Sequence, residues 1–121
     1  MRKNSKHMEV HWPKEMKVIQ ASITTGNILG QHILQQMEER DISVKDLATA
    51  IMTGKIIEGF DVGLYPNYRN PQMIRNVVGT DTLGRLLNVG VAISNNKDSI
   101  TVNVLTTVYV LSQERYQMRI S

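Results

Sequence analysis

At Gly54 the hydrophobic period of this chain changes, and that change restricts its fold more than any other feature. Before Gly54 the apolar residues recur at helical spacing; after it they alternate or run continuously, as strands do. In the first part, Pro13 suits the opening turn of a helix whose Met16, Ile19 and Ile23 share a face. Ile28, Leu29, Ile33, Leu34 and Met37 predict a second helix, with Glu38, Glu39 and Arg40 at its polar end. "DIS" breaks that run, and Ser43 with Asp46 three residues later reads as an N-cap and an acidic N3 residue. A short third helix carries Val44, Leu47, Ala48 and Ile51, and Gly54 stops it.

Beyond Gly54, "KIIEGF", "MIRNVVGT", "LLNVGVAIS" and "SITVNVLTTVYV" read as four strands, with turn chemistry at "DTLG" and "NNKD". Helices followed by hairpin-linked strands predict an α+β domain, its N-terminal helices packed on one face of a four-stranded antiparallel sheet. "GFDVGLYPNYRNP" is the longest irregular piece, with Pro66, Pro71 and several turn formers, and is expected to be a loop able to move. The 121 residues suit one domain. It is expected over residues 18–111, between a basic arm at 1–17 and a tail at 112–121.

The formal net charge of +3 divides unevenly. Residues 1–17 carry Arg2, Lys3, Lys6, Lys14 and Lys17 against Glu9 and Glu15, and the stretch from Ser112 carries Arg115 and Arg119 against Glu114, which leaves the remainder at −1. A basic arm adds non-specific affinity for phosphate backbones, but the near-neutral body is not that of a dedicated duplex-DNA reader. The absence of cysteine excludes disulfides and thiolate metal sites and favours a cytoplasmic home. No apolar run of about 7 to 15 residues follows the basic start, as a signal peptide requires, and none approaches the roughly 18 residues of a membrane span. The expectation is a soluble protein without membrane contact.

Parity divides the last two strands into a core face and a polar one. Ile100, Val102, Val104, Val108 and Val110 share one parity of the fourth strand, and Thr101, Asn103, Leu105, Thr107 and Tyr109 the other. In the third, Leu87, Val89, Val91 and Ile93 take the core parity, leaving Asn88, Gly90, Ala92 and Ser94 opposite. Asn88, Asn103, Thr107 and Tyr109 then form one polar patch, although a half-solvated sheet alternates in this way without any function. His32 is the best titratable candidate, since an imidazole serves as general acid or base and, charged, meets phosphate. A lone histidine at a helix border is, taken alone, far more often a surface or packing residue. His7 and His11 at i, i+4 lack an evident third ligand and the metalloprotease spacing, so no metal site is expected.

"HILQQMEERDISVKDLATAIMTGKIIEGF", "VVGTDTLGRLLNVGVAIS" and "ITVNVLTTVYV" together resemble the domain of unknown function 4258, over about residues 30 to 110. That family looks related to the RelE and BrnT toxins of toxin-antitoxin systems, which implies a RelE-like fold and a bacterial, cytoplasmic ribonuclease. A family motif of histidine, arginine four residues on, and "eRgIs" lands on His32, Gln36, Arg40, Ile42 and Ser43, so the first arginine is replaced by Gln36. "GRplHvvv" lands on Gly84, Arg85, Leu86, Leu87 and Asn88, with asparagine where histidine is common, and "TvY" lands on Thr107, Val108 and Tyr109. The resemblance implies a metal-independent RNA endonuclease toxin, with the ribose 2′-hydroxyl as nucleophile and no cofactor. His32 is then acid or base, Arg85 the phosphate clamp and Tyr109 a donor or positioning group. Arg40, Tyr65, Tyr68, Arg69, Asn88, Asn103 and Thr107 would bind the substrate, with Tyr65, Tyr68 and Arg69 stacking on unpaired bases. The implied partners are RNA, either tRNA or ribosome-bound mRNA, and a cognate antitoxin or immunity protein. The alternative is a non-catalytic protein-binding module on the same fold, acting through the polar sheet face and loop 59–71.

Overall fold

Pro13 lies in the first turn of helix α1 (Trp12–Ile23), where its missing N–H costs no hydrogen bond. The structure, a computed structural model, describes residues 9–25, 27–96 and 99–120. Helices α2 (Gln31–Glu39) and α3 (Val44–Thr53) follow, then strands β1 (Lys55–Phe60), β2 (Met73–Thr80), β3 (Leu86–Asn96) and β4 (Ser99–Val110), and helix α4 (Gln113–Ile120). The strands form an antiparallel meander in the order β1-β2-β3-β4. This is the expected α+β class. Of the "NNKD" turn, Lys97 and Asp98 lie outside the described residues, as do Arg2, Lys3 and Lys6 of the basic arm and His7 of the histidine pair.

The main core joins α1, α2 and α3 to one face of the sheet. Met16, Ile19, Ile33, Met37, Leu47 and Ile51 meet Val77, Leu87, Val89, Val91, Ile93, Leu105 and Val108. The expected boundary between residues 17 and 18 therefore falls inside α1, with Glu15 and Met16 buried before it. Glu15 is fully buried because Arg75 of β2 meets it there: Arg75 Nε and Nη2 donate to its two oxygens at 2.7 and 3.3 Å, and Asn95 adds a third bond at 2.8 Å.

The segment expected as one second helix is shorter than its apolar stripe. Gly30 is the N-cap, and Ile28 and Leu29 precede the helix. Ile28 is buried all the same, and its carbonyl accepts from the Leu105 N–H at 3.1 Å, which covers part of the outer edge of β4.

Two irregularities in β4 change which side chains share a face. The β3–β4 register skips Thr106 and Asn103, so Leu105 pairs with Val91 and Val104 with Ala92. Leu105, expected on the polar face, is therefore in the main core, and Val104, expected in the core, packs with Phe60, Ile74 and Ala92 on the other face. That second face is also not a free solvent face. α4, in the stretch expected as a tail, lies against it through Tyr116, beside Ile57, Val78 and Leu111. The loop between β1 and β2 is tied down rather than loose: buried Asn70 accepts from Tyr65 N at 3.0 Å and donates to the carbonyls of Asp61 and Gln72.

The capping box of α3 is formed as its residues predict, with Ser43 Oγ accepting from Asp46 N at 3.0 Å and Asp46 Oδ2 accepting from Ser43 N at 3.1 Å. The Thr82 hydroxyl also donates to Asp46. That bond, followed by those from Ser43, lowers the Asp46 carboxyl from 3.8 to about 2. A group depressed on folding contributes stability that is complete above its unfolded value and lost as pH falls through the folded one. The Asp46 contribution is thus expected to be full above about pH 4 and to disappear as pH falls through about 2. Urea titrations across that range should show a shallower acid slope for Asp46→Asn; identical slopes would refute the linkage.

Candidate functional site

His32, Gln36, Tyr65, Tyr68, Thr107 and Tyr109 come together around one cleft of about 550 Å3, floored by Ile74, Val104, Leu105 and Thr106. Three elements supply them. α2 presents His32 and Gln36 one turn apart, the loop after β1 presents Tyr65 and Tyr68, and β4 presents Thr107 and Tyr109. Tyr65 packs edge-on against Phe60 with ring centroids 4.8 Å apart, and Tyr68 against Tyr65 at 6.4 Å, so the aromatic wall is held from below.

Gln36 organises the α2 side of the cleft. Its Oε1 accepts from Val108 N and from Thr107 Oγ1, both at 3.0 Å. A backbone N–H can only donate, so the amide is oriented with Nε2 toward His32, whose Nε2 lies 2.9 Å away. His32 Nε2 is then the acceptor, and the neutral ring carries its proton on Nδ1. An arginine, which the resemblance puts at position 36, has no acceptor and could not make the bond to Val108 N. Arg40, one turn further on, donates to the Val108 carbonyl at 2.8 Å. Gln36 and Arg40 thus satisfy both outward-facing backbone groups of Val108 on this edge strand.

A second polar system runs across the sheet beside the cleft. Asn76 donates to Glu58 Oε1 at 2.9 Å, and Asn88 approaches Asn76 Oδ1 at 3.5 Å. Arg119, from α4, donates through Nη1 to Asn88 Oδ1 and through Nη2 to Tyr109 Oη, both at 2.5 Å, and lies 3.5 Å from Glu58 Oε1. Burial pushes the Tyr65 phenol above its usual range, partly opposed by a hydrogen bond with Asn76.

Five of the ten expected site residues therefore meet: His32, Tyr65, Tyr68, Thr107 and Tyr109. Asn88 is close by but fully buried beneath Arg119. Asn103 lies at the second irregularity of β4, exposed and donating to Ser94 Oγ at 3.1 Å, so the expected four-residue patch does not form as drawn. Arg69 is exposed in the loop and does not line the cleft. Arg40 is engaged with Val108 as described.

Arg85, expected as the phosphate clamp, does not line the cleft either. It lies beyond the β2–β3 turn, where its Nε donates to Asp81 Oδ2 at 2.6 Å and its Nη2 donates to the Asp41 carbonyl and lies 3.5 Å from Asp46. Burial raises the Asp81 carboxyl, but hydrogen bonds from Arg85 and from the N–H of Leu83 outweigh it, and the net shift is downward. Arg85 thus links the turn to the start of α3.

The sequence reading missed Arg119, Glu58 and Asn76 as members of the site. Ser112 is a legible N-cap for α4, and its Oγ accepts from Arg115 N at 3.2 Å. Nothing in the local sequence, however, says that this helix turns back onto the sheet. Among the described residues no group of His, Asp and Glu could hold a metal ion, and no helix is long and apolar enough to cross a membrane.

The pattern of one protein family, described as a domain of unknown function (DUF4258), matches residues 29–110. No curated protein and no solved structure matches the chain. The matched segment contains every cleft residue and excludes α1 and α4.

Proposed function

The chain belongs to the DUF4258 family, and from that premise we propose that it is a metal-independent RNA endonuclease, a RelE-like toxin held in check by a cognate antitoxin or immunity protein. The observation that carries this reading is the convergence of an imidazole and a phenol in one cleft walled by two further tyrosines. The rings of Tyr65 and Tyr68 suit stacking against unpaired bases. His32 Nε2 takes the 2′-hydroxyl proton once that hydroxyl replaces the Gln36 amide as its donor. The 2′-oxygen then attacks phosphorus. The bond to the 5′-oxygen breaks as Tyr109 gives that oxygen its proton, leaving a 2′,3′-cyclic phosphate and a 5′-hydroxyl. Tyr109 Oη accepts from Arg119, which leaves the phenolic proton free for donation. Arg119, in place of Arg85, is the cation for the developing phosphorane charge.

The purified protein, incubated with total RNA in EDTA, should yield cyclic-phosphate ends. His32→Ala and Tyr109→Phe should each lower the rate about 100-fold or more with the fold intact. Arg85→Ala, where folded, should cleave as the wild type does. No cleavage of mRNA, tRNA or ribosome-bound substrate would overturn the ribonuclease reading. It would favour the non-catalytic binding module, which draws support from the exposed Val62, Leu64 and Tyr68 on the loop beside the cleft.

A further inference from the structure

Arg119 is held as a bound ligand would be. Its two terminal nitrogens each meet a different acceptor, Asn88 Oδ1 and Tyr109 Oη, at 2.5 Å. The Glu58 carboxylate lies 3.5 Å from Nη1, and the guanidinium carbon stands 5.9 Å from the centre of the Tyr109 ring. This combination of two oxygens set for a planar fork, a carboxylate and an aromatic ring is selective for guanidinium over ammonium. Each acceptor comes from a strand within the matched domain, and the donor comes from α4, outside it.

The two sides of this contact differ in how firmly they are held. Asn88 is fully buried in β3, and Glu58 is oriented by Asn76, itself 2% exposed. α4 has eight residues, none of them buried, and its Met118 and Ile120 are exposed. The acceptors are thus built into the sheet, whereas the helix that fills them buries little of its own surface. Without a donor, Asn88 Oδ1 would be left with a costly buried lone pair, so the site favours a donor at this point whether or not α4 supplies it.

We propose that Glu58, Asn88 and Tyr109 form an arginine-binding site on the α4 side of the sheet, filled in cis by Arg119 and open to an arginine of a partner polypeptide that takes its place. The site stands without the ribonuclease reading. Under that reading, such a partner would also lie over Tyr109, which lines the cleft, and close it to RNA.

The test uses the full chain and no RNA. Arg119→Ala and Arg119→Met, each checked for wild-type circular dichroism, are titrated with N-acetyl-arginine methylamide and, in parallel, with N-acetyl-lysine methylamide. The arginine probe should raise the melting temperature saturably, by about 5 °C at tenfold its Kd, and the lysine probe should bind at least about tenfold more weakly. Adding Glu58→Gln should weaken the arginine probe by about tenfold or more. In the wild type, an excess of the arginine probe should speed hydrogen exchange at Tyr116–Ile120 several-fold as α4 is displaced. No saturable response in either folded variant, an equal response to lysine, or no effect of Glu58→Gln would overturn the site. Unchanged exchange in the wild type at saturating probe would overturn the replacement of Arg119.

Discussion

Arg75→Ala is expected to lower the stability of this protein by about 3 to 5 kcal/mol, a large part of what a domain of this size possesses. Glu15 is fully buried and Arg75 is 2% exposed, so removing the guanidinium strands a carboxylate in the core with Asn95 as its remaining hydrogen-bond partner among the described residues. The loss arises from the uncompensated charge more than from the pair itself. Replacing both partners with apolar residues, Glu15→Leu with Arg75→Met, should therefore recover most of it. Urea midpoints of the single and double variants decide the matter. A double variant no better than Arg75→Ala would mean that the pair is worth more than its desolvation, and a single variant near wild type would mean that water reaches Glu15.

Gly79→Ala is expected to cost about 3 kcal/mol or more, through contact with backbone. A Cβ at Gly79 would lie 1.8 Å from the Ala50 carbonyl oxygen and 2.8 Å from Gly54 Cα. The end of α3 thus rests directly on β2, and Thr53 clamps the junction by exchanging hydrogen bonds with Thr80 N and O at 3.0 and 3.1 Å. The obstacle is a carbonyl oxygen, so Ala50→Gly should not rescue the variant. Gly63→Ala is the contrasting control. It has open space around it and bears only the strain of φ +78, about 1 kcal/mol. A Gly79→Ala protein melting with the wild type, or rescued by Ala50→Gly, would contradict the close approach of α3 and β2.

Gly54 shows how a correct expectation can rest on a different physical cause. It ends α3, but with an ordinary φ of −92° rather than a left-handed one. Its requirement is room, since a Cβ there would lie 2.5 Å from the Ala50 oxygen and 2.8 Å from that of Val78. The stop was legible because glycine is common at helix ends; the reason was not, because it depends on β2.

The cleft was legible in part for the same kind of reason. His32 at a helix border and the tyrosines of the loop stand out by residue type, and Tyr109 by strand parity. Arg85 was picked out by the family resemblance alone, and Asp81 and Asp46 hold it elsewhere. Gln36 read as a missing arginine, whereas its acceptor oxygen is what joins α2 to β4.

By itself, the order of the residues determined the kinds and sequence of the elements from α1 to β4, though not α4, because helical period, strand alternation, the Ser43–Asp46 box and the Pro13 start are local interactions within a few residues. The tertiary structure alone decided which side chains meet. The two irregularities of β4 reverse the faces of Val104 and Leu105, and the return of α4 places Arg119 on Asn88 and Tyr109. A skipped residue in a strand and a contact between helix and sheet depend on register and packing summed over the whole sheet, which no short stretch of sequence encodes.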